Sequence, residues 1–195
     1  MNAPRPVVAC VAPPTEPPVS LAAVKARLRI DHADDDSWLA GVLAATVGLL
    51  DGPDGLLGRC IVAQTWEQRF PAFCNPLPLH VAPVATVVSV TYVDAAGASQ
   101  TVSSDAYELV PRDRRAVLYA VDGWPATSAR RALPVTVRTT CGYGPASAVP
   151  AALTEAIFQH VGTLYERRDA LDMSKAIASP LGFAGLIEPF AIPTT

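Results

Sequence analysis

The strongest helical periodicity in the chain spans residues 150–169, PAALTEAIFQHVGTLYERRD. Leu153, Ile157, Val161 and Leu164 fall at i, i+4, i+8 and i+11, with Ala156, His160 and Tyr165 beside them. That is one apolar stripe at helical spacing. Pro150 suits a first helical turn, where its missing N–H costs nothing. Glu155 near the start, and Arg167 and Arg168 near the end, complement the helix dipole. Two more helices are predicted earlier in the chain. Ser20 caps the first, residues 21–30, with Leu21, Val24 and Leu28 on one face. After a break at 31–33, the acidic run Asp34-Asp35-Asp36 opens the second, which reaches Leu50. Trp38, Leu39, Val42, Leu43, Thr46, Leu49 and Leu50 are expected to face inward. Asp51-Gly52-Pro53-Asp54-Gly55 ends it with strong turn chemistry.

Between residues 60 and 141 the character changes to short β-rich runs. Residues 61–70 carry β-branched and aromatic side chains, with polar alternation at Gln64, Glu67 and Gln68. Residues 84–93 give a second strand, and 94–98 form a hairpin turn into 99–102. Shorter strands are expected at 107–110, 116–121 and 135–141. Pro76, Pro78, Pro83, Pro111, Pro125 and Pro134 fall between these runs or at their edges, where proline is tolerated. Gly142-Tyr143-Gly144-Pro145 then hands over to the long helix.

No helix can bury its stripe alone, so helices separated by the β region must pack together. The expected fold is therefore α+β: a small bundle of three main helices with an inserted antiparallel β lobe and an extended C-terminal tail. Residues 20–59 and 146–172 form the helical body, and 60–145 form the lobe. Residues 1–19 hold Pro4, Pro6, Pro13, Pro14, Pro17 and Pro18, which predicts an extended, polyproline-like arm. That arm is either a flexible leader or lies on a neighbouring subunit. In the tail, 173–195, the stretch SPLGFAGLIEPF has five large apolar residues and a single charge. It either folds back on its own body or inserts into a partner's groove.

Composition narrows the function classes. Of 195 residues, 50% are hydrophobic and 17% charged, which excludes broad disorder. The formal charge of −3 gives no whole-protein attraction for nucleic acid. Cys10, Cys60, Cys74 and Cys141 form no CxxC pair, and His32, His80 and His160 do not supply the spacing of a zinc site. The cysteines read as small buried or incidental residues of a reducing cytoplasm. No apolar run has the length of a membrane helix. Val7-Val8-Ala9-Cys10 imitates a lipoprotein cleavage box, but MNAPRP ahead of it lacks an apolar h-region.

Candidate chemistry is sparse. In DHADDD, residues 31–36, the spacing fails a calcium loop, and an acidic helix cap is the better reading. Gly142-Tyr143-Gly144 lacks the lysine and length of a phosphate loop. His160 reads as a core or interface histidine, and Ser147, His160 and Asp169 offer no nucleophile elbow. The short basic clusters at 112–115, 130–131 and 167–168 read as solvated loops and a helix end, unless oligomerisation lines them up on one surface. No active site, metal or cofactor is expected.

The order of segments carries more. VSLAAVKARLRIDHADDDSWLAGVL, GRCIVAQTWEQRF, VATVVSVTYVDAAGASQTVSSDAYEL, VRTTCGYGPASAVPAALTEAIFQHVGTLYERRDA and PLGFAGLIEPF together resemble the head–tail connector (adaptor) proteins of long-tailed phages, prophages and gene transfer agents. The resemblance covers residues 19–190. It implies a virion structural protein rather than an enzyme, assembled in the bacterial cytoplasm and placed at the head–tail junction. It implies a homo-oligomeric ring, commonly of twelve copies, beneath the portal protein. The next connector or tail component would meet the other side, and double-stranded DNA would pass through the ring without sequence-specific binding. It also makes Leu181, Phe183, Leu186, Ile187 and Phe190 the portal-docking residues. A β-rich carbohydrate- or protein-binding module of a tail or host-surface assembly is the competing expectation.

Overall fold

The computed structural model describes residues 6–112, 114–166 and 181–192, with Leu181 described by its backbone alone. The fold is α+β, and the chain divides into two units. One comprises residues 16–62 and 144–195 and carries the helices; the other comprises 1–15 and 63–143 and carries the strands.

In the helical unit, α1 (Leu21–Leu28) begins at the predicted cap. The Ser20 hydroxyl accepts the Ala23 N–H at 3.1 Å. The helix stops two residues earlier than the periodicity suggests. Arg29 turns left-handed at φ 57°, and the N–H groups of Arg29 and Ile30 close onto the Ala26 and Lys25 carbonyls. The second helix, α2 (Asp36–Leu50), buries Leu39, Leu43, Thr46 and Leu50. Trp38 and Leu49, expected inward, are 40% and 43% exposed. Each lies about 100° round the helix from a buried neighbour. A helix apolar on every side does not announce which side packs.

Gly55 is required in the turn that follows, because a Cβ there would collide with the Leu50 and Asp51 carbonyls. Ile61 and Val62 were expected to open a strand. They instead lie buried in this unit, with the Ile61 N–H donating to the Asp51 carboxylate at 2.6 Å. The long helix, α3 (Ala151–Glu166), buries Leu153, Ala156, Ile157, Val161 and Gly162. Leu28 of α1 packs so closely that a Cβ on Gly162 would stand 3.1 Å from its Cδ2. Leu164 belongs to the stripe by spacing, yet it is 39% exposed, just beyond the last buried residues of the helix. Polar contacts tie the three helices: Lys25 to Asp36 at 2.5 Å, Arg27 to Glu155 at 2.6 Å, and the Tyr165 hydroxyl to Asp35 at 2.8 Å. Asp35 is the N-cap of α2 by position, but its carboxylate makes no capping bond and serves Tyr165 instead.

The other unit holds β1 (Val7–Ala12), β2 (Gln64–Phe70), β3 (Leu77–Leu79), β4 (Val84–Val93), β5 (Ser99–Thr101), β6 (Tyr107–Arg112), β7 (Arg115–Ala120) and β8 (Val135–Cys141). They form an antiparallel five-stranded sheet, β1-β2-β8-β4-β5, and an antiparallel three-stranded sheet, β3-β7-β6. Both sheets contribute to one core, which includes Phe70, Leu77, Leu79, Val90, Leu118, Val135 and Val137. The N-terminal arm is extended as expected but not unpaired. Residues 7–12 are a window free of proline, so their N–H groups are available, and Val7 to Ala12 pair with β2. Gln64, Glu67 and Gln68 of β2 are all buried. Gln68 accepts the His80 and Val81 N–H groups at 2.7 and 3.4 Å, and Gln64 accepts from Trp66 Nε1 at 3.0 Å. Glu67 is held by Arg69 and Arg138. Buried polar side chains survive because each has a partner.

Candidate partner-binding site

The residues singled out for docking lie on α4 (Leu181–Ile187) and the 3-10 turn Glu188–Phe190. Pro189 sits at the start of that turn, where proline fits, and the Ala191 N–H closes it onto the Ile187 and Glu188 carbonyls. Of the two courses open from composition, the segment takes the first: it folds back on its own helical unit. Phe183 is 3% exposed, and its ring sits 5.1 Å from the His160 ring of α3 at an interplanar angle of 34°. Gly182 lets α4 approach, since a Cβ there would stand 3.2 Å from Gln159 Oε1. Burial beside this segment holds the His160 imidazole below its ordinary pKa, favouring the neutral ring.

A second anchor follows the turn. Ile192 is buried, and its N–H donates to the Leu57 carbonyl at 2.8 Å. Gly58, at φ 61°, accommodates it; a Cβ there would stand 3.0 Å from the Ile192 carbonyl oxygen. Leu186, Ile187 and Phe190 are half-buried, and each leaves part of its side chain facing outward. The side chain of Leu181 lies outside the described residues. The structure thus separates the five candidates. Phe183 is an anchor to the chain's own body, whereas Leu186, Ile187 and Phe190 present partial apolar surface. Ile192 and His160 were not read as part of this segment. Phe183, Leu186, Ile187 and Phe190 fall at i, i+3, i+4 and i+7, the spacing of a helix with one packed face.

The other constellations resolve as structural. His32 stands 3.9 Å from both Asp34 and Asp35, while Asp35 and Asp36 hold Tyr165 and Lys25. Among the described residues, no group of three or more His, Cys, Asp or Glu side chains is placed to hold a metal ion. Gly142 and Gly144 occupy positive φ where the chain leaves β8, so the glycines serve a turn. Arg112 donates to the Tyr119 hydroxyl at 3.1 Å, and Arg167 and Arg168 lie outside the described residues. Cys60 and Cys141 are buried, and burial pushes the Cys141 thiol up to about 11. Among the described residues, no helix is long and apolar enough to cross a membrane.

No protein-family model and no curated protein matches the chain. Solved structures do. One chain of the virion of a native gene transfer agent particle matches with a TM-score of 0.77 at 25% identity, over 97% of each chain. A chain from the neck of an empty gene transfer agent particle, computed with C6 symmetry, matches with a TM-score of 0.76 at 25% identity, again over 97% of each chain. A chain from the neck of the native particle, computed with C12 symmetry, matches with a TM-score of 0.66 at 26% identity and the same coverage. Over nearly its whole length, then, this chain is similar to structural components of gene transfer agent particles, a likeness that supports a structural role in a phage-like particle.

Proposed function

We propose that the protein is a head–tail adaptor. Its copies form a ring of twelve beneath the portal, join the capsid to the tail, and surround the channel through which double-stranded DNA passes. The supporting observation is the likeness over 97% of the chain to proteins of gene transfer agent necks, one of them computed with C12 symmetry. Symmetric rings use one heterologous contact repeated until it closes. The C-terminal segment docks on the portal through the outward parts of Leu186, Ile187 and Phe190, together with Leu181. Phe183 holds α4 to α3 so that Leu186, Ile187 and Phe190 are presented as a preformed surface. Preorganisation lowers the ordering cost on binding, and twelve copies compound a modest affinity through avidity. The face opposite the portal receives the next connector or tail component. A net charge of −3 suits a wall along which DNA slides without sequence-specific binding.

The test is made in cells that assemble the particle in their cytoplasm. Replacing the chain by the double variant Leu186→Glu, Ile187→Glu places two charges on the presented surface. Electron microscopy should then reveal filled or empty heads without tails, while circular dichroism of the purified variant stays native. Particles joined at the normal frequency by the double variant remove the docking assignment. Normal joining in a strain lacking the protein altogether removes the adaptor reading.

A further inference from the structure

The outward side of α2 is apolar and carries no charge. Between Asp36 and Asp51 the sequence SWLAGVLAATVGLL has no ionisable side chain. Its packed side is Leu39, Leu43, Thr46 and Leu50. On the opposite side Gly41, Ala45, Gly48 and Leu49 form one exposed strip at helical spacing, with Trp38, 40% exposed, at its start. Leu56 extends the strip past the helix end: it is 52% exposed, and its N–H donates to the Leu49 carbonyl at 2.9 Å.

The glycines are informative because nothing among the described residues uses them. A Cβ added at Gly41 or Gly48 would meet no atom within 4 Å. Glycine in a helix interior costs about 0.5–1 kcal/mol relative to alanine. Here that cost brings no close approach among the described residues, but it leaves a flat surface onto which another backbone can pack. Charge depletion in a strip of large and small apolar residues is the composition of the dry centre of a permanent homo-oligomeric contact. A partner met transiently would be steered and selected by charges, and this face has none.

Resting on the adaptor reading, we propose that this face of α2 is one half of the contact between neighbouring copies in the ring. Its occupant is a second copy of this chain, presenting a different surface, as a heterologous ring contact requires. The strip is about 22 Å long and 10 Å wide, roughly 200 Å² against the ~800 Å² per partner of a stable interface. It therefore forms the centre of the contact, and flanking surface supplies the remainder. The portal contact belongs to the C-terminal segment, so the two interfaces are separable by mutation.

Self-association of the purified full-length chain, followed by native mass spectrometry and light scattering over rising concentration, tests this. Ala45→Glu buries a charge in the contact. Gly48→Leu keeps the face apolar but blocks close approach, and by helix propensity it raises the melting temperature of the monomer. Val121→Glu, at a 64% exposed apolar site of the β unit, is the control. The expected result is association by wild type and control, with at least about tenfold weaker association by both α2 variants, each still folded by circular dichroism. Association of the α2 variants at wild-type strength overturns the proposal, as does a wild-type chain that stays monomeric throughout, or an equal loss in the control. Rings that form normally while particles lacking the protein still join heads to tails would count against the adaptor reading and leave the α2 contact standing.

Discussion

Replacing Phe183 by alanine isolates the role of the C-terminal helix. The ring is almost wholly out of water at 3% exposure and stacks obliquely on His160. Burial of a phenylalanine side chain contributes about 1.5–3 kcal/mol, and a ring–ring contact adds about 0.5–1.5 kcal/mol. Phe183→Ala should therefore weaken the docking of α4 by about 2–4 kcal/mol, a shift of roughly 30- to 1,000-fold in the local opening equilibrium. With seven residues, α4 is too short to persist as a helix in water once released. The assay is hydrogen exchange read by mass spectrometry. Peptides covering residues 182–192 should exchange faster by about that factor, while peptides covering residues 39–50 of α2 change little. The His160 pKa, followed by NMR, should return toward the ordinary 6.5 as the ring gains water. Unchanged exchange over 182–192 would refute the anchoring role. Equal acceleration in α2 would also refute it, because α4 would then not be a separately docked unit.

The same histidine makes docking depend on pH. Its folded pKa lies below the ordinary 6.5 because burial disfavours the charged ring. Docking of α4 is accordingly complete above pH 6.5 and weakens as pH falls below it, and exchange of 182–192 across that window should accelerate toward acid; a flat profile contradicts the assignment. Glu67 gives a linkage of the same sign at lower pH, within the β unit, though from a different cause. Burial by itself would raise its pKa, but hydrogen bonds and charge from Arg138 and Arg69 outweigh that and hold the carboxyl below 4.5. Its contribution is present above pH 4.5 and disappears as pH falls through the lowered value. Glu67→Gln should cost about 1–2 kcal/mol in urea unfolding, the charged hydrogen-bond range discounted because both arginines are half-exposed. The variant should also lose the acid-limb slope, and an unaltered slope would dissociate Glu67 from it.

Elements with one packed face and a definite boundary were legible in the sequence. Ser20 supplied a real cap, the hairpin at 94–98 fell where its turn residues placed it, and β4 and β8 match their predicted spans. Misreadings occur where local pattern is degenerate. All sides of α2 are apolar, so which residues it buries was decided by what packs on it. Strand β1 was hidden because the prolines on either side of VVACVA dominate the composition of the arm, although proline-free backbone is what a sheet edge accepts. Gln64, Glu67 and Gln68 show in the sequence only as polar alternation, since a sequence does not show that the His80 and Val81 amides will meet Gln68 or that Arg138 will meet Glu67.

The C-terminal segment divides the same way. Its five large apolar residues and its need for an apolar surface were determined by the sequence, because hydrophobicity and spacing are local properties. That Phe183 spends itself on the chain's own α3, and that Ile192 locks the end against Leu57, were decided only by tertiary structure. Whether a given apolar side chain faces its own body or outward depends on residues distant in the chain, here His160 and Gly58, and no periodicity within the segment encodes where they lie.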